Sequence, residues 1–173
     1  QPYRRSLDTV ADLDILAGRN NQPNVYILWG YGNGGFSAPV QFNSMLSDPS
    51  WAKWSDLDDD GTLDIVCYSE GGPWSWLKGL GGTSYAPAIF DYNTPAVVDM
   101  ELIPSNMDSI SRFAVGLTNG VALLNFNDCN RQLERQPLSV LPGWSHEVSV
   151  ADWNNDGSMD VLGAIQHSCD VFF

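Results

Sequence analysis

Two short stretches of this chain copy each other. One reads Asp56-Leu-Asp58-Asp-Asp60-Gly61-Thr-Leu-Asp64-Ile-Val. The other reads Asp152-Trp-Asn154-Asn-Asp156-Gly157-Ser-Met-Asp160-Val-Leu, and they match position for position 96 residues apart. A duplication at fixed spacing means that one supersecondary unit recurs, and repeats constrain a fold more tightly than any local propensity. Half the step, 48 residues, places further copies at Phe113-Ala-Val-Gly116 and, upstream, at Asp14-Ile15-Leu16-Ala17-Gly18.

A second marker keeps the same period. Phe36-Ser-Ala38-Pro39-Val40 resembles Tyr85-Ala86-Pro87-Ala88, with the prolines 48 residues apart, and Gln136-Pro137-Leu138 follows 50 residues later. Glycine-rich turns precede the first two, Gly30-Tyr-Gly32-Asn-Gly34-Gly35 and Gly79-Leu-Gly81-Gly82. Each unit reads as four short strands. The first strand enters the aspartate loop and the second leaves it, as Ile65-Val-Cys67-Tyr68 does. The third is Val25–Trp29, Trp74–Leu77 or Val121–Phe126, and the fourth carries the proline. Proline cannot donate to a ladder, so the fourth strand must be an edge. Four antiparallel strands per repeat describe a propeller blade.

The expected fold is therefore all-β, a β-propeller-type array of four blades of roughly 48 residues. The blades fall at about 3–42, 52–90, 95–140 and 144–173, within a single propeller domain or a fragment of one. Gln1–Arg5 serve as the first strand of the first blade. Asp170–Phe173 form the third strand of the last, which lacks a fourth. With no Met at position 1 and no basic segment leading into an apolar one, the chain reads as a processed protein or a piece of a longer one.

Composition supports a β reading and narrows the partners. Asp and Glu total 21 against 8 Lys and Arg, a net charge of -13. Such a surface repels nucleic acid and anionic lipid, and suits cations. No apolar run reaches the ~18 residues of a membrane span, so no membrane insertion is expected. Seventeen of the acids are aspartate, a poor helix former and a good turn and calcium residue.

The loops carry the chemistry. Calcium takes about 6–8 oxygen ligands, and Asp-x-Asp-x-Asp-Gly packs three carboxylates around one point. In the first loop the ligands are Asp56, Asp58, Asp60 and Asp64 with the carbonyl of Thr62. In the second they are Asp152, Asn154, Asp156 and Asp160 with the carbonyl of Ser158. An EF-hand would need a glutamate at position 12, where this chain has Cys67 and Gly163. The plain alternative is a solvated acidic turn, but clustered carboxylates without a cation repel one another.

The two loops resemble the calcium loops of FG-GAP or VCBS repeats, the blades of integrin-α-type propellers. The turn Gly32-Asn-Gly34-Gly35-Phe36 resembles the same family's third-to-fourth strand turn. The resemblance implies Ca2+ at two sites, stiffening the blade hairpins. Unit one departs from the pattern, with Ser6 and Val10 at ligand positions beside Asp8 and Asp14. Unit three departs further: Asp99, Glu101 and Asp108 lie in a longer loop and Arg112 takes the ninth position, so no metal is expected there.

Catalysis is not expected. The only histidines are His146 and His167, Ser145 and Glu147 point to the opposite strand face from His146, and no Gly-x-Ser-x-Gly elbow occurs. Trp29, Trp54, Trp74 and Trp76 are expected between blades, and Trp51, Trp144 and Trp153 near exposed loops. Cys67 reads as an inert core thiol, whereas Cys129 and Cys169 could pair outside the cell. The expected function is an extracellular or cell-surface recognition or adhesion module, binding a protein or glycan ligand. The alternatives are a structural subunit that binds further copies of itself by edge-strand addition, and a non-catalytic domain of a larger secreted enzyme.

Overall fold

The computed structural model describes residues 14–18, 21–70, 72–91, 96–103, 112–127, 132–138, 145–165 and 168–172. Every regular element among them is a β-strand. Among the described residues no helix is long and apolar enough to cross a membrane.

Among the described residues, fourteen strands form four antiparallel sheets in chain order. The first holds β1 (Ile15–Gly18), β2 (Asn24–Leu28) and β3 (Val40–Asn43). The second holds β4 (Trp51–Ser55), β5 (Asp64–Tyr68), β6 (Trp74–Leu77) and β7 (Ile89–Asp91). The third holds β8 (Val97–Ile103), β9 (Arg112–Leu117), β10 (Gly120–Asn127) and β11 (Gln132–Pro137). The fourth holds β12 (Ser145–Ala151), β13 (Asp160–Ile165) and β14 (Ser168–Phe172). Each sheet is a meander in which consecutive strands are neighbours, the blade architecture expected from the repeat. The last sheet has three strands among the described residues. The first strand expected near Gln1–Arg5 lies outside them.

The prolines require a correction. The sequence placed them within the fourth strand of each unit. Pro39 instead immediately precedes β3, Pro87 precedes β7, and only Pro137 is in a strand, as the last residue of β11 opposite Ala122. A residue without an N–H is best tolerated where the ladder starts or stops. β3, β7 and β11 are all terminal strands of their sheets, so the edge argument holds.

The repeat is visible in irregularities as well as in strands. The β8–β9 ladder shifts register between Val97 and Asp99, and the β12–β13 ladder between Ser145 and Glu147. These bulges lie at equivalent places in the first strands of their units. Asp99 and Glu101 therefore sit inside β8, not in a loop as the sequence suggested. The Asp99 Oδ2 accepts the N–H of Val148 at 3.0 Å, tying β8 to β12. Asp108 lies outside the described residues.

The chain divides into two compact units, one built on most of the first two sheets and one on the last two, with Leu57–Asp59, Glu70–Pro73 and Asp91 grouped in the second. In the first, Val25, Ile27, Trp29, Leu46, Ile65, Cys67 and Leu77 form a buried cluster. Phe42 and Tyr85 close it edge to face at 5.0 Å. All five residues of β5 are buried, which explains why Asp64-Ile-Val-Cys-Tyr reads as a continuous run instead of an alternating one. In the second unit Ala114, Val121, Val148, Val161 and Ile165 form the corresponding cluster. A methyl group on Gly116 would meet Ser145 Oγ at 2.6 Å, so glycine there lets the third and fourth sheets approach.

Candidate functional site

The first aspartate loop joins β4 to β5, and its shape follows from its residue types. Asp59 has φ 56° and Gly61 φ 84°, both left-handed, a region that aspartate, asparagine and glycine enter most easily. Asp56 Oδ2 accepts the N–H of Gly61 at 2.9 Å, and Asp60 Oδ1 accepts that of Thr62 at 2.8 Å. The chain thus wraps around its own carboxylates. One oxygen each of Asp56, Asp58 and Asp60 lie within 4.8 Å of one another. Oxygens that share a calcium ion at about 2.3–2.6 Å lie at most about 5 Å apart, so these three fit one ion.

The second loop, between β12 and β13, repeats this wiring. Asn155 has φ 58° and Gly157 φ 91°. Asp152 Oδ2 accepts the N–H of Gly157 at 3.0 Å, and Asp156 Oδ1 that of Ser158 at 2.7 Å. That bond from Ser158, and a second from Asn154, hold the Asp156 carboxyl below the usual carboxylate range. Asn154 Oδ1 accepts the Asp156 N–H at 2.8 Å, and its Nδ2 donates to Asp156 Oδ2 at 3.0 Å. The carboxylates of Asp152, Asp156 and Asp160 do not converge as closely as those of the first loop. Asp160 is 1% exposed; its Oδ2 accepts from Trp153 at 2.9 Å, and its buried Oδ1 has no hydrogen-bond partner.

The ninth-position aspartates have a further role that the spacing did not reveal. Asp64 is fully buried, and its Oδ1 accepts the N–H of Gly79, just beyond β6, at 2.7 Å. Asp14 Oδ1 accepts the N–H of Gly30, just beyond β2, at 2.9 Å. The same clamp therefore joins the start of the second strand to the end of the third in both units. Asp64 is not among the three convergent carboxylates. The turns that follow also match: Ser37 donates to the Trp29 carbonyl and Ala86 to that of Lys78, each at 2.8 Å. Asp8, Ser6 and Val10 lie outside the described residues, and Arg112 opens β9.

These loops, clamps and turns recur at the period of the strands. A family model, the FG-GAP-like repeat, matches residues 11–67. The matched segment runs from the Asp14 clamp through the whole first loop to Cys67 in β5. A search of curated proteins returned no match.

One residue beside the first loop escaped the sequence reading. Lys78 Nζ lies 2.7 Å from Asp60 Oδ2. That hydrogen bond is the main cause holding the Asp60 carboxyl below its ordinary range. The available signal was the repeat itself: Lys78 stands where the first unit has Trp29, at the carbonyl that receives the turn. A charge replacing an aromatic at a strand end pointed to a local acidic partner. Among the tryptophans, Trp29, Trp74 and Trp76 are buried and Trp54 is half-buried, donating to Tyr85 Oη at 3.3 Å. Trp51 and Trp153 are exposed at 49% and 43%. Trp144 and Cys129 lie outside the described residues. Burial pushes the Cys67 thiol up to about 12, so it is inert.

Proposed function

We propose that the chain is a calcium-stiffened, blade-built recognition module of the cell exterior, with no turnover of its own. The observation that carries the calcium reading is the matching wiring of the two loops. In each, backbone N–H groups and two left-handed residues hold acidic side chains around the hairpin. Asp56, Asp58 and Asp60 would hold the first ion, with Asp64 and the Thr62 carbonyl available to it. Asp152, Asn154, Asp156 and the Ser158 carbonyl would hold the second, and the buried Asp160 Oδ1 is a donor with no other use. Calcium supplies charge neutralisation and a fixed hairpin geometry, and extracellular modules work at ~10⁻⁴–10⁻³ M calcium.

Recognition of a protein or glycan is supported by the FG-GAP-like repeat and by aromatic side chains that reach solvent, Tyr31, Trp51 and Trp153. Aromatic surfaces of this kind anchor interfaces and stack on sugars.

The test is calorimetric titration of the purified chain with calcium chloride. Two ions per chain are expected, falling to one in Asp58→Ala and one in Asp156→Ala. Unchanged stoichiometry in both variants, or no binding in the parent, would remove the calcium reading. A glycan array probed with the parent and with Trp153→Ala tests the recognition half.

A further inference from the structure

We propose that Lys78 is a tethered competitor for the cation of the first loop, holding Asp60 in the metal-free state and lowering the loop's calcium affinity. The inference rests on the calcium reading above and deepens it. The two loops match in backbone wiring and differ in charge. The first presents Asp58 and Asp59 where the second presents Asn154 and Asn155, so it carries two more carboxylates. It also has a lysine ammonium 2.7 Å from Asp60 Oδ2. In the second loop the equivalent oxygen, Asp156 Oδ2, is met by the neutral amide of Asn154 at 3.0 Å.

The lysine is not needed to position Asp60. The other oxygen of that carboxylate already accepts the Thr62 N–H at 2.8 Å, and Asp156 is held the same way by Ser158 without any lysine. Lys78 therefore contributes charge more than geometry, and its charge opposes that of an incoming dication. Its place is fixed by its neighbour. Gly79 is clamped to Asp64, and a methyl group there would meet the Leu63 carbonyl oxygen at 2.5 Å. The strand end that carries Lys78 is thus pressed against the loop. The ammonium must share Asp60 with the ion or swing to solvent, which its 27% side-chain exposure allows.

The experiment measures calcium affinity by calorimetry in an Asp156→Ala background, where only the first loop is read, for Lys78, Lys78→Met and Lys78→Arg. Removing one positive charge a few ångströms from a dication should tighten binding roughly tenfold. Lys78→Arg, which keeps the charge, should stay within about twofold of the parent. Lys78→Gln keeps a polar stem without the charge and must move with Lys78→Met, which guards against a folding defect in the methionine variant. Unchanged or weaker binding in both neutral variants would overturn the proposal while leaving the calcium site standing. Absence of binding in the parent and every variant would instead overturn the calcium reading and this inference together.

Discussion

At the residue scale, the ninth-position aspartates of the first two units act as clamps. Asp14 and Asp64 each accept the N–H of a glycine beyond the third strand, and Asp64 does so while fully buried. That gives Asp14 a use in a unit where Ser6 and Val10 stand at two ligand positions: the clamp is useful without a metal. Removing the acceptor leaves a buried N–H unsatisfied, which costs about 1–3 kcal/mol. Asp64→Ala should therefore lose roughly 2 kcal/mol in urea denaturation with a chelator present, while Asp64→Asn, which keeps an acceptor oxygen, should lose about half of that. Equal losses in both would show that charge, not the hydrogen bond, is what matters. The sequence displayed these aspartates and their spacing, but not the clamp. Their partner glycines lie 15 and 16 residues downstream, and only the return of the third strand brings them together. Lys78 was hidden for the same reason, since its partner is 18 residues away.

At the element scale, the strands were legible because the repeat sampled each one several times. The aspartate loops located the first hairpin of a unit and the glycine turns the last. The proline offset was not legible, because a missing N–H excludes the ladder interior without saying which side of the strand end the residue occupies. Nor were the bulges of β8 and β12, which no side-chain pattern marks. β5 shows what complete burial does to an element. Cys67 is its fourth residue, with burial pushing its thiol up to about 12, and Tyr85, packed against the same cluster, is also pushed up to about 12 by burial. A raised folded value favours the protonated form. The stabilisation it reflects is complete below the unfolded thiol value, ~8.5, and is lost as pH climbs toward 12. Stability by urea titration should thus fall from about pH 8.5 upward. Cys67→Ala should delay that fall to the tyrosine range near 10. An unchanged alkaline limb would mean that the thiol is not what titrates. In native protein at neutral pH, Cys67 should also resist a thiol reagent that labels it within minutes in urea.

At the scale of the whole molecule, each compact unit has its own buried cluster, and the strand leaving an aspartate loop feeds each: β5 through Ile65 in the first, β13 through Val161 in the second. A net charge of -13 makes the compact state repel itself, and two bound dications would remove four of those charges where they are densest. A ligand that binds only the native state stabilises by about 2.7 kcal/mol at a hundredfold excess over its dissociation constant. If the units unfold together, both loops act on one transition and the gain approaches about 5.4 kcal/mol. If they unfold separately, each loop raises only its own. The separate hydrophobic clusters favour the second outcome. Differential scanning calorimetry should resolve two transitions, both raised by calcium and lowered by chelator. Asp58→Ala should abolish the calcium response of one, and Asp156→Ala that of the other. A single transition that each variant shifts by half the parent's amount would show that the units fold as one body. Two transitions indifferent to calcium would leave the acidity of this chain without a structural purpose.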